Sequence, residues 1–170
     1  NGFSLTSDNK KLHSIAIIDK MEPKNEAAAL TPERIEKLKA HLENNAFAQI
    51  CGIKVAEMRY DYVKMTAEVR PELLNPLGRV HGGMLYTMAD GVVSMLARAD
   101  GHAYVTLDSS FQYLCNTTEP GTLEARAELI RRGHKVSVIR VEITHRESGR
   151  LLATGTFTCC RITPSAEGTR

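Results

Sequence analysis

The sequence contains no apolar run approaching the roughly 20 residues of a membrane-spanning helix. The short run from Leu12 to Ile18 is followed by charged residues and not by a cleavage site, so it is not interpreted as a signal peptide. The chain also lacks a charge imbalance, because 22 basic and 20 acidic residues leave a net charge of +2. These absences predict no membrane or nucleic-acid partner, and any attraction to an anionic ligand has to be local.

Cysteine is scarce, and its spacing does not suit a metal. The four cysteines form no CxxC motif and no Cys/His metal pattern; they are Cys51, Cys115, Cys159 and Cys160. Cys159 and Cys160 are adjacent in a strand-like segment, so their side chains point to opposite faces and are not expected to pair. The pattern predicts no metal site and is typical of free thiols in a reducing cytoplasm.

The length of 170 residues and the hydrophobic content of 42% fit one globular domain. Residues 1–30 lack sustained periodicity and are interpreted as a poorly ordered or loosely docked extension. The folded domain is predicted over residues 31–163, with residues 164–170 as a tail. Thr31 suits a helix cap and Pro32 the first helical position, which predicts an N-terminal helix. Its apolar residues repeat at helical spacing and are Ile35, Leu38, Leu42 and Ala46.

A second, strongly apolar helix is predicted from Met84 to about Ala99. Its apolar residues cover most of its circumference, so it belongs inside the protein as the central element. Only one narrow stripe is polar or small, and it consists of Thr87, Asp90, Gly91 and Ser94.

Strand-like segments flank this central helix. Two precede it, the second at 63–69, and four follow it, at about 105–112, 123–130, 136–144 and 151–162. Val105 and Leu107 are predicted on the same face as Phe111. The alternation of apolar residues changes from even to odd positions near residues 139–140. This change predicts a bulge or a strand buried on both faces.

The turns between consecutive strands are short, and short turns favour antiparallel pairing because parallel pairs need long crossovers. The element order is α, β, β, long α and then four strands. This order predicts an α+β domain, in which an antiparallel sheet of about five or six strands packs on one buried helix.

Asp90 is the most informative single residue. A carboxylate in the middle of an apolar helix is costly unless it is paired or hydrogen-bonded. One interpretation is structural, with Thr87, Ser94 or a donor from another chain satisfying the charge. The other is functional, because buried ionisable groups are frequent at active sites.

The central helix is preceded directly by His81, Gly82 and Gly83. The first amides of a helix have no internal partners and carry the positive end of its dipole. Glycines at that point let a ligand approach the backbone, so the segment suits a carbonyl oxygen that becomes negative. The alternative is a tight turn beside a structural histidine.

Asn75 joins this group, so that an amide, an imidazole, backbone donors and a carboxylate surround one helix entrance. Asp90 lies about 10 Å beyond Gly83 along the axis, at 1.5 Å per residue. The Gly82 amide and Asp90 therefore cannot reach the same carbonyl in one subunit unless the substrate bridges them. A two-fold dimer could bring Asp90 of one chain against the Gly82 end of the other.

The stretch NPLGRVHGG at 75–83, with Asp90 seven residues further on, resembles the signature of the hot-dog-fold acyl-CoA thioesterases of the phenylacetic-acid-degradation (PaaI-like) type. The resemblance covers about residues 32–162, including VTL at 105–107 and GRLLA at 149–153. It implies a sheet wrapped around the long helix. It also implies dimers, often paired into tetramers, with active sites at the dimer interface.

The resemblance assigns roles by position. Asp90 is implied as general base or nucleophile, Gly82 as the amide that polarises the carbonyl, and Thr106 as a guide for the attacking water. His81 and Asn75 are implied to orient the thioester. The implied contacts to the coenzyme A part are Gly83, Thr106, Asp108, Tyr113, Leu114, Asn116, Thr117, Arg131, Arg132, Gly133, His134 and Lys135. Cys115-Asn116 stands where a proline is common in the family, so this loop is expected to differ in shape.

The run from Arg131 to Lys135 supports a coenzyme A ligand independently. It is the densest basic cluster in a nearly neutral chain and lies on a predicted turn between strands. Arg and Lys neutralise phosphate charges well. The alternative is a solvated hairpin tip.

The function predicted is hydrolysis of an acyl-CoA thioester to the free acid and coenzyme A, with no metal or other cofactor. One rival is a hot-dog dehydratase or hydratase, which pairs a catalytic histidine with an acid in other spacings. Another is a non-catalytic acyl-CoA sensor. A sensor of the regulator type needs a DNA-reading module, yet residues 31–48 predict one helix and not a helix-turn-helix. Aromatic, medium-chain and long-chain acyl groups all suit this scaffold.

Overall fold

A computed structural model describes residues 30–162 of the chain. The predicted extension at 1–30, apart from Leu30, and the predicted tail at 164–170 lie outside the described residues. Within residues 30–162, no helix is both long and apolar enough to span a membrane.

The N-terminal helix α1 spans Pro32–Glu43. As predicted, Thr31 caps it, since its hydroxyl accepts a hydrogen bond from the Arg34 amide at 3.3 Å. The helix ends before the predicted Ala46, at Asn44. Its apolar stripe packs on the edge of the core through Ile35, Leu38 and Leu42.

Ala46 instead begins a separate short helix, α2, spanning Ala46–Cys51. The Asn45 side chain caps it by accepting from the amides of Phe47 at 3.0 Å and Ala48 at 3.1 Å. Gly52, with φ of 68°, ends it in the left-handed conformation that glycine adopts without strain. The prediction of one N-terminal helix through Ala46 was wrong. Ala46 continues the helical spacing of the apolar residues, but the Asn45 cap before it starts a new helix.

Six antiparallel strands form one sheet in the order β1-β2-β4-β5-β6-β3. They are β1 Lys54–Met58, β2 Tyr62–Glu68, β3 Ala103–Tyr113, β4 Thr122–Arg132, β5 Val136–His145 and β6 Arg150–Ile162. A 3-10 turn at Pro71–Leu73 leads out of β2. The predicted strand order along the chain and the antiparallel pairing are confirmed.

The central helix α3 spans Gly82–Ala97 and packs against five of the six strands, β2 to β6. A 3-10 turn at Arg98–Asp100 follows it. The helix starts two residues before the predicted Met84 because the His81 side chain caps it. Nine of its residues are buried: Met84, Leu85, Met88, Ala89, Val92, Val93, Met95, Leu96 and Ala97. The sheet wrapped around one helix is the arrangement that the sequence predicts.

Two details of the predicted strands differ in the structure. The buried positions of β5 alternate without interruption from Ser137 to His145, and the bulge predicted near 139–140 lies in the facing strand, at Ile130 of β4. A further register shift of β5 is likewise in its partner, at Leu152 of β6. In β3, a bulge at Leu107 changes which alternate residues face the core. Leu107 and Val105 are consequently exposed, by 66% and 46%, while Phe111 packs on the core. A bulge depends on how two strands pair, so the sequence pattern of one strand does not predict it.

Arg132 closes the C-terminal end of α3. Its guanidinium donates to the carbonyls of Ala97 at 2.7 Å and Leu96 at 3.0 Å, and lies 3.5 Å from the Asp100 carboxylate. Burial alone would raise the pKa of Asp100, but hydrogen bonds from Tyr104 and His102, with the charge of Arg132, hold it below its usual range. Arg132 therefore adds a charged donor to the carbonyls at the end of the helix and places a positive charge at the negative end of its dipole.

This contact predicts that Arg132→Met destabilises the fold. The variant removes the charged donor to two helix-end carbonyls and the cation beside the Asp100 carboxylate, so we expect the free energy of unfolding to fall by about 3 kcal/mol. Urea denaturation measures it. The matched control is Arg131→Met, which alters an exposed side chain and should change stability by less than about 0.5 kcal/mol. Equal effects of the two variants would contradict a capping role for Arg132.

Candidate active site

Asp90 and Thr106 form the centre of the site. The Thr106 hydroxyl donates to Asp90 Oδ1 across 2.6 Å, joining helix α3 to strand β3. Among the described residues this is the side-chain hydrogen bond of the carboxylate, and neither Thr87 nor Ser94, the partners considered from sequence, makes one with it. The partner lies in another element, 16 residues away along the chain. A short bond of this kind holds the carboxylate in one orientation.

The carboxylate opens on a cavity of about 190 Å³ between α3 and α2. Asp90 is half-buried there, on the narrow polar stripe that the sequence predicts. The other lining residues are mostly apolar and are Leu42, Asn45, Phe47, Ala48, Ile53, Tyr86, Thr87 and Gly91. A carboxyl group beside an apolar cavity can act on a bound carbonyl while the walls hold an apolar group.

Cys159 lies behind this pair and was not singled out from sequence. It is the cross-strand partner of Thr106 and is buried. Burial, and secondly the charge of Asp90, raise the pKa of its thiol to about 11. The thiol therefore stays protonated and is not a nucleophile at neutral pH. Its nearness to Asp90 follows from the β3–β6 register, for which the sequence of β6 contains no signal.

The helix entrance presents one free donor and not several. The Gly83 amide donates to His81 Nδ1 at 2.9 Å, so the imidazole already occupies it. Among the described residues no acceptor pairs with the Gly82 amide. His81 is thus the side-chain cap of α3, and the Gly82 amide is the donor left for a ligand.

Tyr113 lies against this entrance. Its hydroxyl donates to the Gly82 carbonyl at 3.2 Å, and a Cβ added to Gly82 would lie 3.3 Å from its ring. Phe111 packs edge-on against Tyr113, with ring centroids 5.0 Å apart. The predicted residues Gly82 and Tyr113 are therefore in contact, and a side chain at position 82 would press against the tyrosine ring.

The predicted residues Asn75, Asn116 and Thr117 support the entrance loop. Asn75 Oδ1 accepts from the amides of Leu77 at 2.9 Å and Arg79 at 3.1 Å, which closes its own turn. The Asn116 side chain donates to the Val80 carbonyl at 3.0 Å, and the Thr117 carbonyl accepts from the Val80 amide. Together they fix the backbone that leads into His81.

Of the remaining predicted contacts, Asp108 and Leu114 are exposed, in β3 and just after it. The basic segment lies apart from the entrance. The segment from Arg131 to Lys135 joins β4 to β5 at the opposite end of α3, because Arg132 binds the last carbonyls of that helix. Arg131, His134 and Lys135 are exposed there, whereas the guanidinium of Arg132 is engaged in the fold. The residues that the resemblance implies as coenzyme A contacts are therefore divided between two places. One is the N-terminal entrance of α3, and the other is the basic turn after β4.

Asp90 and Gly82 are likewise separated within one subunit. Eight residues of helix place their backbones about 12 Å apart along the axis of α3. Among residues 30–162 there is no group of three or more His, Cys, Asp or Glu side chains that could hold a metal ion. The chemistry available to these residues is therefore that of a fixed carboxylate, a hydroxyl and a backbone donor.

Comparisons with known proteins point to one family. The sequence profile of the thioesterase superfamily matches residues 77–152. Acyl-coenzyme A thioesterase PaaI of Escherichia coli is 28% identical over 108 residues, which cover 64% of this chain and 77% of that protein. Human acyl-coenzyme A thioesterase 13 is 24% identical over 133 residues, covering 76% of this chain and 95% of that protein.

Solved structures agree with this. The E. coli PaaI protein matches with a TM-score of 0.74 and 25% identity, over 79% of this chain and 97% of that one. A hypothetical thioesterase of Streptococcus pneumoniae, solved with coenzyme A, is 32% identical with a TM-score of 0.60, over 64% of this chain and 87% of that one. The chain therefore belongs to the thioesterase superfamily and has the hot-dog fold. The predicted family, fold class and enzyme class are confirmed.

The environment of Cys159 predicts selective alkylation of the folded protein. At about pH 8, iodoacetamide should label the exposed Cys115 and spare Cys159, because only the thiolate reacts and burial keeps Cys159 protonated. Peptide mass spectrometry after timed labelling measures both sites. Labelling in urea should modify both residues at similar rates. Labelling of Cys159 as rapid as that of Cys115 in the folded protein would contradict the closed packing behind Asp90.

Proposed function

We propose that the chain hydrolyses an acyl-CoA thioester to the free acid and coenzyme A. The observation that carries this proposal is the hydrogen bond between Thr106 and Asp90 at the edge of an apolar cavity. The relatives named acyl-coenzyme A thioesterases support the substrate class. The S. pneumoniae protein, whose structure contains coenzyme A, supports the same ligand.

In the proposed mechanism, Asp90 takes a proton from a water molecule as that water attacks the thioester carbonyl carbon. Thr106 holds the carboxylate by donating to Oδ1, so the other oxygen is available to the water. The tetrahedral oxyanion then collapses, the carbon–sulfur bond breaks, and the thiolate of coenzyme A takes the proton. A direct attack by Asp90 gives the same products through an anhydride and uses the same carboxylate.

The oxyanion requires a donor, and the resemblance implies the Gly82 amide for this role. The Gly82 amide is free, but it lies about 12 Å from Asp90 along α3. We propose that the Gly82 amide of a second copy fills this role. A backbone amide at a helix N-terminus stabilises developing negative charge well.

The edge strand β3 supports a dimer of this kind. Among the described strands it pairs only with β6, so its second edge presents unpaired backbone groups next to the exposed Val105 and Leu107. Antiparallel pairing of β3 with its copy would continue the sheet and set the two α3 helices side by side in opposite directions. The Gly82 end of one helix would then approach the middle of the other. A dimer of such dimers remains a prediction.

The two parts of the substrate have distinct surroundings in this proposal. The acyl group enters the cavity between α2 and α3, whose walls include Leu42, Phe47 and Ile53. The turn after β4 offers Arg131, His134 and Lys135 to the phosphates of coenzyme A. We assign Arg132 a supporting role, because its guanidinium binds the end of α3.

Asp90→Asn tests the mechanism. The variant keeps the size of the side chain and can still accept from Thr106, but it cannot take a proton from water. We expect kcat on an acyl-CoA panel to fall by about 10²-fold or more. Thermal stability should hold or rise, because a partly desolvated charge is removed.

The matched control is Asp100→Asn, an acid that the structure places in a folding role beside Arg132 and Tyr104. It should lose stability while the folded fraction keeps its kcat. A folded and fully active Asp90→Asn enzyme would end the proposed mechanism. Tight acyl-CoA binding without turnover by the wild type would favour the sensor considered above.

Subunit mixing tests the shared site. Asp90→Asn removes the base, and Gly82→Val puts a branched side chain beside the amide, where even a Cβ crowds Tyr113. If each site takes one residue from each copy, a mixed dimer regains one intact site. Co-expression in equal amounts should then restore about a quarter of wild-type activity by random pairing.

Each parent variant alone serves as the control and should be nearly inactive. A site built within one subunit gives no recovery, because every site would then carry one defect. Full activity from a monodisperse monomer in light scattering would likewise refute the shared site.

A further inference from the structure

A second cavity, of about 620 Å³, lies between α1 and the chain that follows α3. Five of the eight residues that line it are Arg, Lys or His, and none is acidic. The five are Arg34, Lys37, His41, Arg98 and His102. This concentration is unexpected in a chain whose net charge is only +2, and the volume falls in the range of small-molecule sites.

The fold assembles these side chains from two elements. Arg34, Lys37 and His41 recur at helical spacing on one face of α1. The Arg34 guanidinium reaches across to donate to the Arg98 carbonyl at 3.2 Å. Gly101, with φ of 93°, leaves room for it, because a Cβ there would collide with the Arg34 guanidinium.

Most of these basic side chains have no carboxylate partner in the described residues. Within residues 30–162, Arg34, Lys37, His41 and Arg98 take part in no ion pair. Arg98 Nε is buried without a hydrogen-bond acceptor in the described residues. His102 is the exception, with Nδ1 3.3 Å from Asp100, but that carboxylate also accepts from Tyr104 and faces Arg132.

We propose that this cavity binds a phosphate-bearing small molecule. Several cations around one cavity match a group that carries two or more negative charges, and guanidinium and ammonium groups donate strong charge-assisted hydrogen bonds to phosphate oxygens. The cavity is separate from the Asp90 site, because Arg98 lies eight residues beyond Asp90, about 12 Å along α3. Two sources of the phosphate fit, namely a free nucleotide or the nucleotide end of the thioester substrate. The second rests on the function proposed above and would place that end here instead of at the turn after β4.

Direct binding to the full chain tests the proposal without any turnover. The probes are inorganic pyrophosphate and ADP, titrated calorimetrically at low and at high salt. The double variant Lys37→Ala/His41→Ala removes two exposed side chains for which the structure shows no fold contact. We expect the wild type to bind both probes, and the variant to bind them about tenfold more weakly. High salt should weaken binding in both proteins.

Lys39→Ala is the matched control. Lys39 lies on the same helix but pairs with Glu36 at 3.1 Å and does not line the cavity. It should leave the dissociation constants unchanged. Failure of the wild type to bind pyrophosphate and ADP would overturn the proposal, as would equal losses in the double variant and in Lys39→Ala.

Kinetics then separates the two sources. If the nucleotide end of the substrate fills the cavity, the double variant raises KM for an acyl-CoA but not for the matching acyl-pantetheine. If a free nucleotide fills it, KM for the acyl-CoA is the same in the wild type and in the double variant. Both results support a phosphate site. Because the binding titration needs no hydrolysis, its outcome is independent of the proposed thioesterase mechanism.

Discussion

Burial of helix α3 inside the sheet is the constraint on which the rest of this structure depends. Its apolar residues contact strands from β2 to β6, so every polar group on it has to be satisfied by a neighbour or left facing a cavity. Asp90 meets this demand in both ways, through the Thr106 hydroxyl and an opening to solvent-accessible space. The position proposed to carry the chemistry is thus the position where the packing is incomplete.

The backbone groups at the two ends of α3 differ in their hydrogen-bond partners. At the C-terminal end, Arg132 covers the carbonyls of Leu96 and Ala97 and neutralises the negative end of the helix dipole. At the N-terminal end, His81 uses one amide and leaves that of Gly82 without a partner in the described chain. The helix therefore offers its positive end to a ligand while its negative end is closed. This asymmetry suits a substrate in which negative charge develops during the reaction.

Much of the architecture could be predicted from sequence because it follows local periodicity. The apolar circumference of α3, the alternation of β2 and β4, and the turns between later strands all lie within short windows. One error is local, because the cap at Asn45 divided one predicted helix into two. The other errors depend on a neighbouring strand, since the bulges at Leu107 and Ile130 moved the exposed face of β3 and the break expected in β5.

The sequence alone determined that a carboxylate at Asp90 lies in an apolar helix opened by two glycines, and this combination points to the family. Only the tertiary structure decided which groups meet. Thr106 is the partner of Asp90, Cys159 lies behind both, and Arg132 belongs to the fold and not to the exposed basic turn. These contacts join residues far apart in the chain, and their geometry depends on strand register and helix packing. A pattern read along one segment contains no information about that register, because it is fixed by the elements on either side.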